Sequence, residues 1–76
     1  MLNRGLMIDK VPKADKDAEF REICTMMEQT SSGCIAVCAE NRPFGIITAI
    51  DIVKAVAECG EVSLDLKAVD IVRLVE

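Results

Sequence analysis

The sequence contains no histidine, which removes the side chain that most often acts as a general base near neutral pH. Tyrosine and tryptophan are also missing, and two phenylalanines supply all of the aromatic residues. Because no nucleophile can be matched with its usual base, we predict no catalytic residue. The sequence favours a protein that is not an enzyme.

The chain also lacks an excess of positive charge, a bilayer-spanning segment and a signal-peptide core. Nine basic and thirteen acidic residues give a net charge of −4, whereas a nucleic-acid-binding domain normally carries a basic patch. No apolar run approaches the roughly 20 residues that cross a bilayer, and residues 1–5 lack a signal peptide's apolar core. We expect a cytoplasmic protein with no nucleic-acid or membrane partner.

Four cysteines, at positions 24, 34, 38 and 59, form no C-x-x-C pair. Without histidine the usual zinc-binding spacings are absent, so we predict no metal site. In a reducing compartment a free cysteine behaves as a small buried hydrophobe, and we expect that role here. A redox or soft-metal role, with Cys34 and Cys38 as candidates, remains the alternative.

The spacing of apolar residues predicts a strand and a helix in the first half of the chain. Leu6–Ala14 indicates an extended lead-in and a short strand. An amphipathic helix is predicted over Lys16–Gln29, with Asp15 and Asp17 as capping and first-turn acids. Its apolar positions follow helical spacing: Phe20, Ile23, Cys24 and Met27.

Two apolar runs, Cys34–Ala39 and Phe44–Ile47, predict an antiparallel hairpin with a turn at Glu40–Pro43. Neither run alternates with polar residues, so both faces of the sheet are predicted to be covered. Apolar residues make up 51% of the 76 residues, and a domain this small buries only about 60% of its unfolded surface. We therefore expect helices of this chain on one face and a second copy on the other.

A second helix is predicted from Thr48 to about Glu58, ending at Gly60. Its broad apolar face consists of Ala49, Ile50, Val53, Val56 and Ala57. The pattern of residues 61–76 leaves two possibilities open. Leu66–Val72 has the spacing of a short helix, and Arg73–Val75 fits a strand.

The segment Gly45–Asp51 spans a strand end, a turn and a helix start. Thr48 and Asp51 have the spacing of a capping box. The same residues suit a nucleoside phosphate: the helix N-terminus and the Thr48 hydroxyl donate to an anion, and Asp51 accepts from a ribose diol. Gly45 has no side chain to keep a ligand off the strand. The spacing does not decide between a cap and a ligand site.

The order β-α-β-β-α and the segment Gly-Ile-Ile-Thr-Ala-Ile-Asp at residues 45–51, followed by Ile52–Ala55, resemble a CBS motif. This family is named after cystathionine β-synthase, and its signature is glycine, two apolar residues, threonine or serine, two variable residues and aspartate. The resemblance covers about residues 7–59. Val69–Val72 is similar to the lead-in that precedes a next repeat.

The resemblance implies an α/β (α+β) fold class with one CBS motif in a single domain over residues 1–76. A small mixed sheet would carry two helices packed on one face. Family members usually contain two motifs in tandem, which form clefts for AMP, ADP, ATP or S-adenosylmethionine and regulate an attached protein. A homodimer, or pairing with another CBS motif, is therefore expected.

By the same resemblance, Asp51 would hold the ribose hydroxyls and Thr48 the phosphate, with Gly45 beside them. The base would lie against the starts of two strands: Lys13, Ala14, Cys34, Ile35 and Ala36. Two alternatives stay open. One is a structural dimerisation module in which Thr48 and Asp51 only cap the helix, and the other is a thiol-based redox or metal sensor.

Overall fold

The structure, a computed structural model, describes residues 11–74. Its sheet has three strands, β1 (Lys13–Asp15), β2 (Cys34–Ala39) and β3 (Arg42–Thr48), in the order β1-β2-β3. β1 runs parallel to β2, and β3 runs antiparallel to β2. The predicted mixed sheet and α/β class are confirmed.

Between residues 11 and 74, three α-helices accompany the sheet: α1 (Phe20–Gln29), α2 (Ala49–Cys59) and α3 (Ala68–Leu74). A 3-10 helix over Gly60–Asp65 joins α2 to α3. The predicted β-α-β-β-α order is therefore present and is extended by a third α-helix. No helix of the described residues is long and apolar enough to cross a membrane.

The hairpin turn between β2 and β3 is shorter than the predicted turn at Glu40–Pro43. Glu40 and Asn41 both have positive φ, 53° and 66°, as a two-residue type I′ turn requires. Arg42 and Pro43 belong to β3, where Pro43 pairs with Cys38 next to a shift in register. Proline fits here because β3 is an edge of the described sheet and the ladder is irregular at this point.

Helix α1 begins at Phe20 and not at the predicted Lys16. The Asp17 N–H donates to the Asp15 carboxylate at 2.9 Å, and the Ala18 N–H donates to the Asp15 carbonyl at 3.0 Å. Asp15 thus ends β1 and Asp17 lies in the turn that follows, so both acidic residues precede α1. The cap residue is Glu19, whose side chain makes no capping hydrogen bond. The predicted lead-in at residues 6–10 falls outside the described residues.

Helix α3 settles the open question about residues 61–76 for the part that the structure describes. Ala68, Ile71 and Val72 have helical spacing and are buried, so a helix places all three in the core. The predicted strand at Arg73–Val75 is wrong for residues 73 and 74, which end α3, and Val75 lies outside the described residues. Within the described residues, three α-helices contribute side chains to the core, whereas the resemblance implies two.

Strand pairing divides the sheet into two faces, because side chains directly opposite one another point the same way. The side chains of Ile35, Val37 and Ile47 are fully buried in the core with those of α1 and α3. The residues between them point to the opposite face, which we call the open face. Ala36 on this face is buried, but Ile46 is 50% exposed.

The predicted apolar face of α2 lies mostly outside the core. Ile50 and Val53 are each 62% exposed, and Val56 is 45% exposed, whereas the buried side chain of the helix is that of Ala55. Apolar periodicity located the stripe correctly, but the helix is turned so that Ala55 and half-buried Ile52 face the core.

Candidate functional site

The start of α2 is held by a reciprocal pair of hydrogen bonds between Thr48 and Asp51. The Thr48 N–H donates to Asp51 Oδ2 at 2.8 Å, and the Asp51 N–H donates to Thr48 Oγ1 at 3.3 Å. This is the capping box that the spacing predicts. Both side chains are partly buried, which keeps them fixed and still accessible from one side.

The capping box leaves several polar groups available to a ligand. The first backbone N–H groups of a helix have no intrahelical acceptor, and the box uses only those of Thr48 and Asp51. The N–H groups of Ala49 and Ile50 remain as donors, together with the Thr48 hydroxyl hydrogen. The described hydrogen bonds to the Asp51 carboxylate involve only Oδ2, so Oδ1 remains an acceptor. Donors for an anion and an acceptor for hydroxyls thus lie within one helical turn.

Four of the predicted site residues share the open face of the sheet. Cys34 pairs with Thr48 across β2 and β3, and Ala36 pairs with Ile46 on one side and Lys13 on the other. Because residues two apart on a strand point the same way, the side chains of Lys13, Cys34, Ala36 and Thr48 line one surface. Asp51 stands at its edge, at the start of α2.

The other three predicted residues are at positions that face the helices. Ala14 is 5% exposed and Ile35 is fully buried, so only their backbone atoms can reach the open face. A Cβ atom on Gly45 would lie 2.8 Å from Val72 Cγ1, well inside van der Waals contact. The missing side chain of Gly45 therefore makes room for α3 on the helix side of the sheet. The sequence argument missed Val72; its only signal was the helical spacing of residues 66–72.

The surface near Lys13 is a shallow depression and not a closed pocket. A hollow of about 260 Å³ is lined by Lys13, Ala14, Asp15, Cys38 and Asn41, and it does not include Thr48 or Asp51. Ligand pockets usually enclose 300–1,000 Å³ and bury most of the ligand. This hollow is below that range and lies apart from the capping box.

Residues 4–58 match the family described as the CBS domain. The chain belongs to the CBS domain family. CBS domains generally pair with another CBS domain to bind adenosyl ligands, and they are typically regulatory modules rather than catalysts.

A solved structure supports the same assignment. The crystal structure of a CBS-domain containing protein from Agrobacterium tumefaciens is similar to this chain, with a TM-score of 0.73 and 26% sequence identity. The similarity covers 86% of this chain and 52% of that protein, so the chain spans about half the length of that protein. No curated protein matches the sequence.

The cysteines of this CBS domain are less buried than the sequence predicts. All four are partly exposed, and none is paired in a disulfide. Burial raises the pKa of the Cys24 thiol, because desolvation disfavours the thiolate. Cys34 and Cys38 lie on the open face with Ala36 between them. Within residues 11–74, no three cysteine or acidic residues form a cluster that could hold a metal ion.

Proposed function

We propose that this CBS domain is a regulatory, non-catalytic module that pairs with a second copy and binds an adenosyl ligand in the cleft between them. The ligand class is AMP, ADP, ATP or S-adenosylmethionine, and we propose a cytoplasmic location. The single observation that carries the proposal is the Thr48–Asp51 box at the edge of the open face, where both residues keep polar groups free.

The chemistry of these two residues fits the ribose and phosphate of a nucleotide. A carboxylate oxygen of Asp51 can accept hydrogen bonds from the two ribose hydroxyls, and such charge-assisted bonds are the stronger kind. The Thr48 hydroxyl and the two free backbone N–H groups can donate to a phosphate. The base would lie along the open face between Lys13 and Cys34, next to Ala36.

The exposed apolar residues on the sheet support pairing through the open face. Ile46 and Phe44, both on β3, are 50% and 47% exposed. Ile46 lies beside Ala36 in the middle of the open face. A second copy packed on this face would remove apolar surface from water and supply the missing wall of the cleft.

A purely structural pairing module is the second candidate, and one observation favours it. Both hydrogen bonds of the capping box join Thr48 and Asp51 to each other, so the two residues already have a sufficient structural role. The two candidates agree about pairing and differ only in whether Asp51 also binds a ligand.

The experiment that separates them replaces Asp51 with asparagine and measures adenosyl-ligand binding by calorimetry. The variant keeps the shape and one acceptor but loses the charge. We expect binding to weaken by roughly tenfold or more, which corresponds to about 1.4 kcal/mol. A 2′,3′-dideoxy analogue should bind the wild type weakly. Replacing Asp51 should reduce the affinity for this analogue much less than the affinity for the parent ligand, because both changes remove the same interaction.

Asp70 provides a matched control. Its Oδ2 accepts the Lys67 N–H at 2.8 Å at the start of α3, the same length as the bond from the Thr48 N–H to Asp51. Asp70→Asn should therefore cost similar stability, about 0.5–2 kcal/mol, without changing ligand affinity. If Asp51→Asn binds as tightly as the wild type, or if no adenosyl compound binds either protein, Asp51 is only a cap.

A further inference from the structure

The hollow near Lys13 brings groups of different chemistry to one place on the open face. Its volume is about 260 Å³, and its lining residues are Lys13, Ala14, Asp15, Cys38 and Asn41. Residues on β1 alternate between exposed and buried, so Lys13 and Asp15 both lie on the open face, as Cys38 does on β2. An ammonium group, a carboxylate and a thiol therefore share a surface that lies apart from the capping box.

The two charges of the hollow do not neutralise each other. Among residues 11–74 the ion pair joins Lys16 to Asp17, and the Lys13 ammonium group does not pair with the Asp15 carboxylate. Asp15 Oδ2 accepts the Asp17 N–H at 2.9 Å, so the described bonds leave Oδ1 as an acceptor. A cation and a carboxylate on one side of a hollow suit a small zwitterion. The carboxylate of such a ligand would meet Lys13, and its ammonium group would meet Asp15.

Cys38 places a thiol beside these charges. Asp15 pairs with Cys38 in the register of β1 and β2, which puts the carboxylate next to the thiol. Lys13 is two residues back on β1, and its long side chain can reach the thiol from this diagonal position. The thiol is partly exposed and is not in a disulfide. Because charges of both signs flank the thiol, the hollow favours a reaction there by holding a charged reagent in place.

We propose that Cys38 is a site of reversible S-thiolation, at which the hollow binds a zwitterionic low-molecular-weight disulfide such as glutathione disulfide. The Cys38 thiol gives its proton to solvent, and the thiolate attacks one sulfur of the bound disulfide. The S–S bond of the reagent breaks, and a new S–S bond joins Cys38 Sγ to one half. The other half leaves as a thiolate and takes up a proton. The disulfide is the oxidant, and an excess of the free thiol reverses the step.

The adduct would lie on the surface through which we propose that two copies pair. Cys38 is two residues from Ala36, which pairs with Ile46 in the middle of the open face. A glutathione half attached to Cys38 would therefore stand between the two sheets and keep a second copy away. S-thiolation and pairing through the open face exclude each other. This consequence rests on the proposed function, whereas the modification itself does not.

Exchange kinetics of the full, reduced chain test the site. The chain is treated with glutathione disulfide or with bis(2-hydroxyethyl) disulfide, which has the same reactive bond but no charge, and peptide mass spectrometry gives the rate constant at each cysteine. Cys34 is the internal control, because it is partly exposed on the same strand and face but does not line the hollow. The ratio of the rate constant for the charged reagent to that for the neutral one should be at least about threefold larger at Cys38 than at Cys34. This excess should fall as salt is added.

Two variants remove the charges of the hollow and keep the shapes of the side chains. Lys13→Gln and Asp15→Asn should each bring the ratio at Cys38 close to that at Cys34. Asp15→Asn retains an oxygen that can accept the Asp17 N–H, and urea denaturation checks that both variants are folded. Equal ratios at the two cysteines of the wild type, or an excess that survives either variant, would overturn the site and leave Cys38 an ordinary exposed thiol.

Sedimentation velocity tests the consequence for pairing. The reduced chain should sediment as a pair and the Cys38-modified chain as a monomer, whereas Cys38→Ser treated in the same way should stay paired. A modified chain that remains a pair would overturn the exclusion. A reduced chain that is already a monomer would contradict the proposed pairing, and the exclusion with it, while the exchange ratios still decide the modification site.

Discussion

The contact between Gly45 and α3 gives the sharpest test of the packing. An alanine Cβ at position 45 would lie 2.8 Å from Cγ1 and 3.1 Å from Cγ2 of Val72. Carbon atoms normally approach to about 3.5–4.0 Å, so α3 must move by about 0.7 Å or more to accept Gly45→Ala. Valine cannot turn aside easily, because its branched Cβ restricts its rotamers.

Overpacking of this kind typically costs about 1–3 kcal/mol. For a domain of this size, each kcal/mol lowers the melting temperature by about 4–8 °C. Val72→Ala should also destabilise the protein, by about 1–3 kcal/mol, because it removes buried methyl groups and leaves a cavity. Urea denaturation of both variants measures these losses.

The double variant distinguishes a direct contact from two independent losses. In Gly45→Ala/Val72→Ala the new methyl group occupies space that the valine vacates, so the two losses should not add. We expect a favourable coupling of about 1 kcal/mol or more in a double-mutant cycle. A neutral Gly45→Ala variant, or strictly additive losses, would refute the contact.

Two further predictions follow from α3 and from Cys24. A fragment ending at residue 65 retains the whole family match but loses the buried side chains of Ala68, Ile71 and Val72. It should show no cooperative urea transition by circular dichroism. A transition like that of the wild type would contradict the role of α3 in the core. Because burial raises the pKa of the Cys24 thiol, Cys24 should be alkylated more slowly at pH 8 in the folded protein than in the urea-unfolded chain, as measured by peptide mass spectrometry. The unfolded chain releases this proton first as the pH rises, so stability should fall above the ordinary thiol pKa; equal alkylation rates would argue against the shift.

Local signals predicted the geometry of the capping box well. The capping box depends on two residues three apart on one helix, so Thr48 and Asp51 could be placed from their spacing alone. The start of α1 could not be placed in this way, because Asp15 and Asp17 are equally suited to a cap and to a turn. The Lys16 N–H to Cys38 carbonyl bond, at 2.9 Å, ties this turn to β2, and this long-range contact decides against an earlier helix start.

Side-chain direction was the main quantity that the sequence could not supply. Ala14 and Ile35 are next to Lys13 and Ala36 in the chain, yet their side chains are buried on the helix side, because the register of pairing sets which alternate residues lie on the open face. Likewise, the helical spacing of apolar residues predicts the stripe on α2, but it does not indicate whether this chain or a second copy covers Ile50 and Val53.

The central claim is that an adenosyl ligand binds where the start of α2 meets the open face. The most direct measurement is a titration of the ¹⁵N-labelled protein with AMP, followed by amide chemical shifts. We predict saturable shifts at Thr48, Ala49 and Ile50, smaller shifts near Lys13 and Ala36, and no shifts along the 3-10 helix over Gly60–Asp65. The absence of shifts with millimolar AMP and with every other adenosyl compound in the class would contradict binding at this site. Shifts confined to another surface would also contradict it.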